Sequence, residues 1–199
     1  MPSSARPAER LGPGKPLSEV AFAVLDTETT GLSPKYGGRV CEVAVVVLKG
    51  GRETARWTTL LDPQCRIDAG ALAVHGITQA MVAGQPTFAE VADDLDGLLT
   101  GAVLVAHNAP FDVSFLSSEY ARIGRVMPAV PVLCTLKLAR RHFKFPSNKL
   151  GSIASALGVG QSVAHRALAD TEALGGIFSH FLREFEKKGV TTLEGLLTL

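Results

Sequence analysis

Cysteine is scarce in this chain of 199 residues, and the three present, Cys41, Cys65 and Cys134, are odd in number and form no C-x-x-C pair. Neither a disulfide framework nor a cysteine zinc site is therefore indicated, and a reducing cytoplasm is the default location. Long apolar runs are missing too. None reaches the ~18 residues that a membrane-spanning helix needs. The opening stretch MPSSARPAERLGPGKP lacks the apolar centre of a secretory signal. Its Pro, Gly, Ser and Arg read as a disordered arm over residues 1–18. An excess of one charge is also lacking: 20 Lys and Arg face 19 Asp and Glu, a net charge of +1. Proteins that coat duplex nucleic acid are usually more basic, so this balance neither supports nor excludes such a substrate. No internal repeat and no second domain are visible.

What is present is ordinary for a globular domain, with 46% apolar and 20% charged residues. The length favours a single domain with a sizeable core over residues 19–187, followed by a short C-terminal tail over 188–199. Apolar runs at Val20 to Asp26, Val40 to Leu48 and Thr54 to Leu61 read as strands. Gly50-Gly51 makes a hairpin of the second and third, and short links make the three an antiparallel meander. Helical periodicity then takes over. Thr78 suits the N-cap of a brief helix, and Thr87 caps Phe88 to Leu99. Ala102 to Ala106 and Val130 to Cys134 are short strands. Between and after them, Pro110 to Ile123, Leu136 to His142, Leu150 to Leu157 and His165 to Lys187 are helical, with Gly158 as a C′ residue. This order predicts an α/β protein with a mixed five-stranded sheet, the meander first and parallel strands after it, and helices on both faces.

Three stretches carry candidate chemistry. In Val24 to Leu32, VLDTETTGL, a buried strand leads into Asp26 and Glu28. Residues two apart on a strand share a side, which sets the two carboxylates roughly 7 Å apart at the backbone. Such a pair suits a hard cation such as Mg²⁺ or Mn²⁺, or is merely solvated at a strand end. In His107 to Asp112, HNAPFD, a strand runs through a turn into a helix whose first turn holds Asp112. The helix N-terminus favours an acid there on its own account, and Asn108 is a good N-cap. In His165 to Asp170, HRALAD, the two end residues would differ by about 140° around one helix. His165 is therefore expected on the loop or at the helix start, and Asp170 inside the helix, facing the sheet. Lys137, Arg140, Arg141, Lys144 and Lys149 form a basic run with Phe143 and Phe145 interleaved. That pattern fits a path for a single strand, or a solvated surface. Glu90, Asp93, Asp94 and Asp96 on one helix read as a solvated face.

Taken in order, DTETTG, HNAPFD and HRALAD resemble the three exonuclease motifs of the DEDDh, DnaQ-like family. Its best-known member is the proofreading subunit of bacterial replicative DNA polymerase. His75-Gly76-Ile77-Thr78 also resembles the family's HGIT turn, and the likeness runs from about Phe22 to Phe185. It implies a ribonuclease H-like fold and metal-dependent 3′→5′ exonuclease activity. By that resemblance Asp26, Glu28, Asp112 and Asp170 hold two Mg²⁺ or Mn²⁺ ions, and His165 is the general base. Paired cations about 3.5–4 Å apart neutralise a phosphodiester and stabilise its leaving oxygen. A histidine, with an ordinary pKa of about 6.5, accepts a proton at neutral pH. Thr27, Thr29 and Leu32 are the expected cradle of the 3′-terminal nucleotide. Asn108 and Phe111 are candidate nucleotide contacts, and His75 a candidate phosphate contact. The expected partner is a single-stranded or frayed 3′ end, DNA rather than RNA, with a polymerase or repair partner and no membrane. An RNA-trimming enzyme with the same site and a non-catalytic polymerase-associated module are the rival readings. No clamp-binding pentapeptide and no long polymerase-binding tail are evident, which leaves a stand-alone enzyme open.

Overall fold

The computed structural model describes residues 11–12, 14–160 and 165–199. Most of the expected N-terminal arm, residues 1–10 and 13, lies outside them. Five strands form one sheet: β1 (Ala21–Thr29), β2 (Val40–Lys49), β3 (Arg52–Leu60), β4 (Ala102–Ala106) and β5 (Val132–Cys134). They lie in the order β3-β2-β1-β4-β5. The β1–β2 and β2–β3 pairs are antiparallel, and β1–β4 and β4–β5 are parallel. This is the expected meander followed by parallel strands. Gly50 and Gly51 turn the hairpin with φ of 57° and 73°, a conformation that side-chain-bearing residues resist.

Eight α-helices accompany the sheet among the described residues. They are α1 (Ala69–His75), α2 (Gln79–Val82), α3 (Phe88–Leu99), α4 (Pro110–Arg122), α5 (Thr135–His142), α6 (Leu150–Ala156), α7 (Ala167–Lys187) and α8 (Leu193–Leu197). Local signals set several ends. The Thr87 N–H donates to Glu90 Oε2 at 2.7 Å, closing the start of α3, and Gly158 follows α6 with φ of 65°.

Strand alternation sorts the core into two layers. Phe22, Val24, Val103, Val105 and Leu133 face α6 and α7, where Ile177, Phe178 and Phe181 pack. Ala23, Leu25, Val43, Val45 and Leu104 face α3 and α4, meeting Leu95, Phe115 and Tyr120. A buried ion pair fixes α4 to the start of β2. Glu119 accepts from Arg39 Nε and Nη2 at 2.7 and 2.8 Å, and from the Val40 N–H at 3.1 Å. Removing one partner of such a pair leaves a stranded charge, at a cost of ~3–5 kcal/mol.

Two segments read as peripheral in fact pack on the core. Leu17 is buried, and so are Leu193 and Leu196 of α8. Pro16 bridges Thr192, and the Leu17 N–H donates to the Thr191 carbonyl at 2.9 Å. Both pieces are too short to show periodicity, and each is completed by the other. Among the described residues, no helix is long and apolar enough to cross a membrane.

Candidate active site

The C-terminal end of β1 is where the acids gather. Alternation turns Asp26 and Glu28 toward the α7 layer, and Asp170 stands in the first turn of α7. One carboxylate oxygen from each of the three lies within 4.8 Å of the other two. Asp112 comes from the opposite layer. It sits in the first turn of α4, only 3% exposed, and accepts a 2.8 Å hydrogen bond from the Thr27 hydroxyl. Thr27 faces the other way from its neighbours Asp26 and Glu28, so one strand both supplies two acids and orients a third. Open α/β sheets bind ligands in this region, beyond the carboxyl ends of parallel strands.

The crowding is electrostatically unfavourable. Burial, and then the charges of Asp112, Glu28 and Asp170, push the Asp26 carboxyl well above its usual range. Burial and the charges of Asp170 and Glu42 push Glu28 up to about 8. Burial raises Asp112 to about 7, opposed by the Thr27 hydrogen bond. An oxygen-only donor set of this density fits Mg²⁺ or Mn²⁺ by its chemistry. Nothing in it favours a softer ion.

A pH dependence of stability follows. A carboxyl whose pKa is higher folded than unfolded holds its proton longer in the folded state, so stability falls as pH rises between the two values. For Glu28 and Asp112 that window closes near about 8 and about 7. His75 and His107, lowered by burial, act in the opposite sense, but only below the ordinary histidine value of 6.5. In EDTA the melting temperature is therefore expected to fall from about pH 6.5 to about pH 8.5. Added Mn²⁺ should raise it more at the upper end, where the clustered carboxyls are deprotonated and free to bind a cation. Calorimetry across this range decides the matter, and a melting temperature that rises with pH would contradict the assigned shifts.

His165 precedes α7, exposed, with a left-handed φ of 63°, and its N–H donates to Asp170 Oδ2 at 3.1 Å. It lies outside the helix, which begins at Ala167. The other predicted residues divide. Thr29 turns its hydroxyl back to the Gly31 carbonyl at 2.8 Å. Leu32 is 92% exposed. Phe111 is half-buried against Phe115, with ring centroids 4.8 Å apart. His75 differs from the expected phosphate contact. It is 6% exposed, Nδ1 accepts from the Ile77 N–H at 2.9 Å, and Nε2 lies 3.2 Å from the Thr29 carbonyl. With both nitrogens engaged, it braces β1 just past the acids. Asn108 is not the N-cap of α4. Ala109 holds that position with no side-chain cap, and Asn108 is exposed with φ of 68°.

The basic run is split by packing. Lys137, Arg140 and Arg141 line an open groove of about 920 Å³ that also includes Ala109 and Pro110, just before Asp112. Phe143 and Phe145 are packing residues rather than platforms for bases: their rings lie 4.1 and 6.2 Å from that of Phe181. Three residues at or near the site escaped the sequence reading. Buried Glu42 and partly exposed Arg166 form an ion pair beside the acids. A lone acid inside the apolar stretch 40–48 was the available signal. Tyr36, 93% exposed in the loop after β1, was legible only as a loop residue.

A mixed sheet with paired acids over the ends of its parallel strands defines a nuclease of ribonuclease H-like fold. The exonuclease family model RNase_T matches residues 23–178, and the chain belongs to that DnaQ-like family. It is 40% identical over 188 residues to a DNA polymerase III subunit epsilon-like protein of Rhodobacter capsulatus, covering 92% of this chain and 27% of that one. To the 3′-5′ exonuclease DinG of Bacillus subtilis it is 35% identical over 184 residues, 92% of this chain and 20% of the relative. The chain thus spans less than a third of these curated relatives. Among solved structures, Exonuclease X in complex with 5′ overhanging duplex DNA matches with a TM-score of 0.68 and 29% identity, over 89% of this chain and 99% of that one. The zinc-bound Exonuclease I–ssDNA complex of E. coli matches at 0.75 with 18% identity, over 85% and 42%, a likeness of fold alone.

Proposed function

We propose that this chain is a DEDDh-type 3′→5′ exonuclease that removes nucleoside 5′-monophosphates from single-stranded or frayed DNA ends. The observation that carries the reading is the trio Asp26, Glu28 and Asp170, with oxygens within 4.8 Å of one another. Asp112 adds a fourth acid from the opposite layer. Two divalent cations, when bound, supply charge neutralisation at the phosphate and stabilisation of the leaving 3′ oxygen. The trio and Asp112 would hold them. His165 takes the proton of the attacking water, and its place on the approach to α7 rather than within it leaves the ring free of the helix wall. Leu32 and Tyr36, both nearly fully exposed in the loop after β1, offer apolar faces to the terminal bases. The groove of Lys137, Arg140 and Arg141 offers positive charge to the strand behind them. The name of the Rhodobacter capsulatus relative, a DNA polymerase III subunit epsilon-like protein, supports DNA as the substrate.

The test uses matched DNA and RNA oligomers labelled at either end. With Mg²⁺ or Mn²⁺, DNA is expected to lose a 3′ label first and RNA to be cut more slowly. Activity that survives excess EDTA would remove the cation requirement, and early loss of a 5′ label would reverse the polarity. Faster cutting of RNA would make the enzyme an exoribonuclease.

A further inference from the structure

Glu42 is a fifth acid on the face of the cluster, and its oxygens are committed elsewhere. It pairs in register with Glu28 across β1 and β2 and is 3% exposed. Oε1 accepts from Arg166 Nη2 at 2.6 Å and Nε at 3.2 Å. Oε2 accepts from Nε at 3.1 Å and from the Ala167 N–H at 2.9 Å. Arg166 occupies the N-cap position of α7 and gives no side-chain cap of its own. A strand 124 residues away in sequence therefore supplies the acceptor that the helix start needs.

The adjoining residue is His165. A left-handed backbone at a non-glycine residue is strained and persists only where its surroundings impose it. Three successive residues are tied here: His165 through its N–H to Asp170, Arg166 through its guanidinium to Glu42, and Ala167 through its N–H to Glu42. The planar guanidinium meets the carboxylate as a fork, which fixes direction as well as distance.

We infer that Glu42 and Arg166 are positioning residues, which hold the His165 backbone where its side chain reaches the attacking water and keep Glu42 out of the cation-ligand set. The inference rests on His165 being the base, and it predicts that the pair acts through His165 alone.

The experiment is a double-mutant cycle on the full chain with single-stranded DNA as substrate. Arg166→Ala is expected to lower kcat by about 10- to 100-fold, the scale of a small misplacement of a reacting group, with KM unchanged. The melting-temperature rise given by Mn²⁺ alone should persist. In a His165→Asn background, Arg166→Ala should produce no further loss. Arg166→Lys restores the charge without the fork, and should recover only part of the rate and of the acid limb of the pH profile. Should Arg166→Ala fail to fold because it strands Glu42, Glu42→Gln with Arg166→Met removes both charges and carries the same cycle. A loss that multiplies with that of His165→Asn would overturn the positioning role while leaving the base reading intact. A His165→Asn enzyme of near-native rate would instead overturn the base reading. If Glu42→Gln abolishes the Mn²⁺ effect, Glu42 is a ligand and the inference fails.

Discussion

Replacing Asp170 with asparagine is expected to lower exonuclease activity by several orders of magnitude while the metal-free protein melts higher than the wild type. Both halves come from the same crowding. Asp26, Glu28 and Asp170 bring oxygens within 4.8 Å of one another. The charge of Asp170 is among the causes that raise Asp26 and Glu28. Removing it relieves repulsion in the folded state and leaves the unfolded chain unchanged. Asparagine keeps the shape of the side chain and an acceptor for the His165 N–H, so the backbone around α7 has no reason to move. It lacks the anionic oxygen that a hard cation prefers. Rate assays with Mn²⁺ and calorimetry in EDTA measure the two effects. A variant of near-native rate would take Asp170 out of the site, and one that unfolds would give it a structural duty instead.

His165→Asn should lower kcat by roughly 10²–10⁴-fold, the usual contribution of a positioned base. Asparagine is the informative choice because it tolerates the left-handed conformation that His165 adopts at φ of 63°. A loss in this variant therefore reports lost proton transfer and not a rearranged backbone. Because hard cations are served by carboxylate oxygens rather than by imidazole, stabilisation by Mn²⁺ should be unchanged. The fall in wild-type rate toward acid pH should flatten. A variant that loses Mn²⁺ stabilisation together with activity would make His165 a ligand or a prop.

The parts legible in the sequence are those written locally. Asp26 and Glu28 share a face because they are two apart on a strand, and Thr87 with Glu90 marks the start of α3 within four residues. Spacing alone left His165 on a loop or at the helix start, and the structure begins α7 two residues later, at Ala167. What stayed hidden depends on residues far apart. Nothing near Thr27 says that its hydroxyl orients Asp112, 85 positions on. Phe143 and Phe145 read as exposed beside five cations, yet α7 supplies Phe181 to cover them. His75 looked available for a phosphate until the fold brought the Thr29 carbonyl to its ring. The chain pieces around Leu17 and Leu193 looked peripheral because each is half of one small unit.

The two buried glutamates share a pattern. Glu119 accepts from Arg39 and from the N–H of the residue after it, and Glu42 does the same with Arg166 and Ala167. Both pins meet β2, a strand that carries none of the motif acids. The first sets α4, with Asp112, against the start of β2, and the second sets the start of α7, with Asp170, against its next turn of the pleat. The distance between the two acid-bearing helices is therefore written on β2, as on a ruler, and not in the loops that lead to them. With the geometry pinned on β2, the spacing of the acids does not rest on Asn108 or His165, the left-handed residues that lead into α4 and α7.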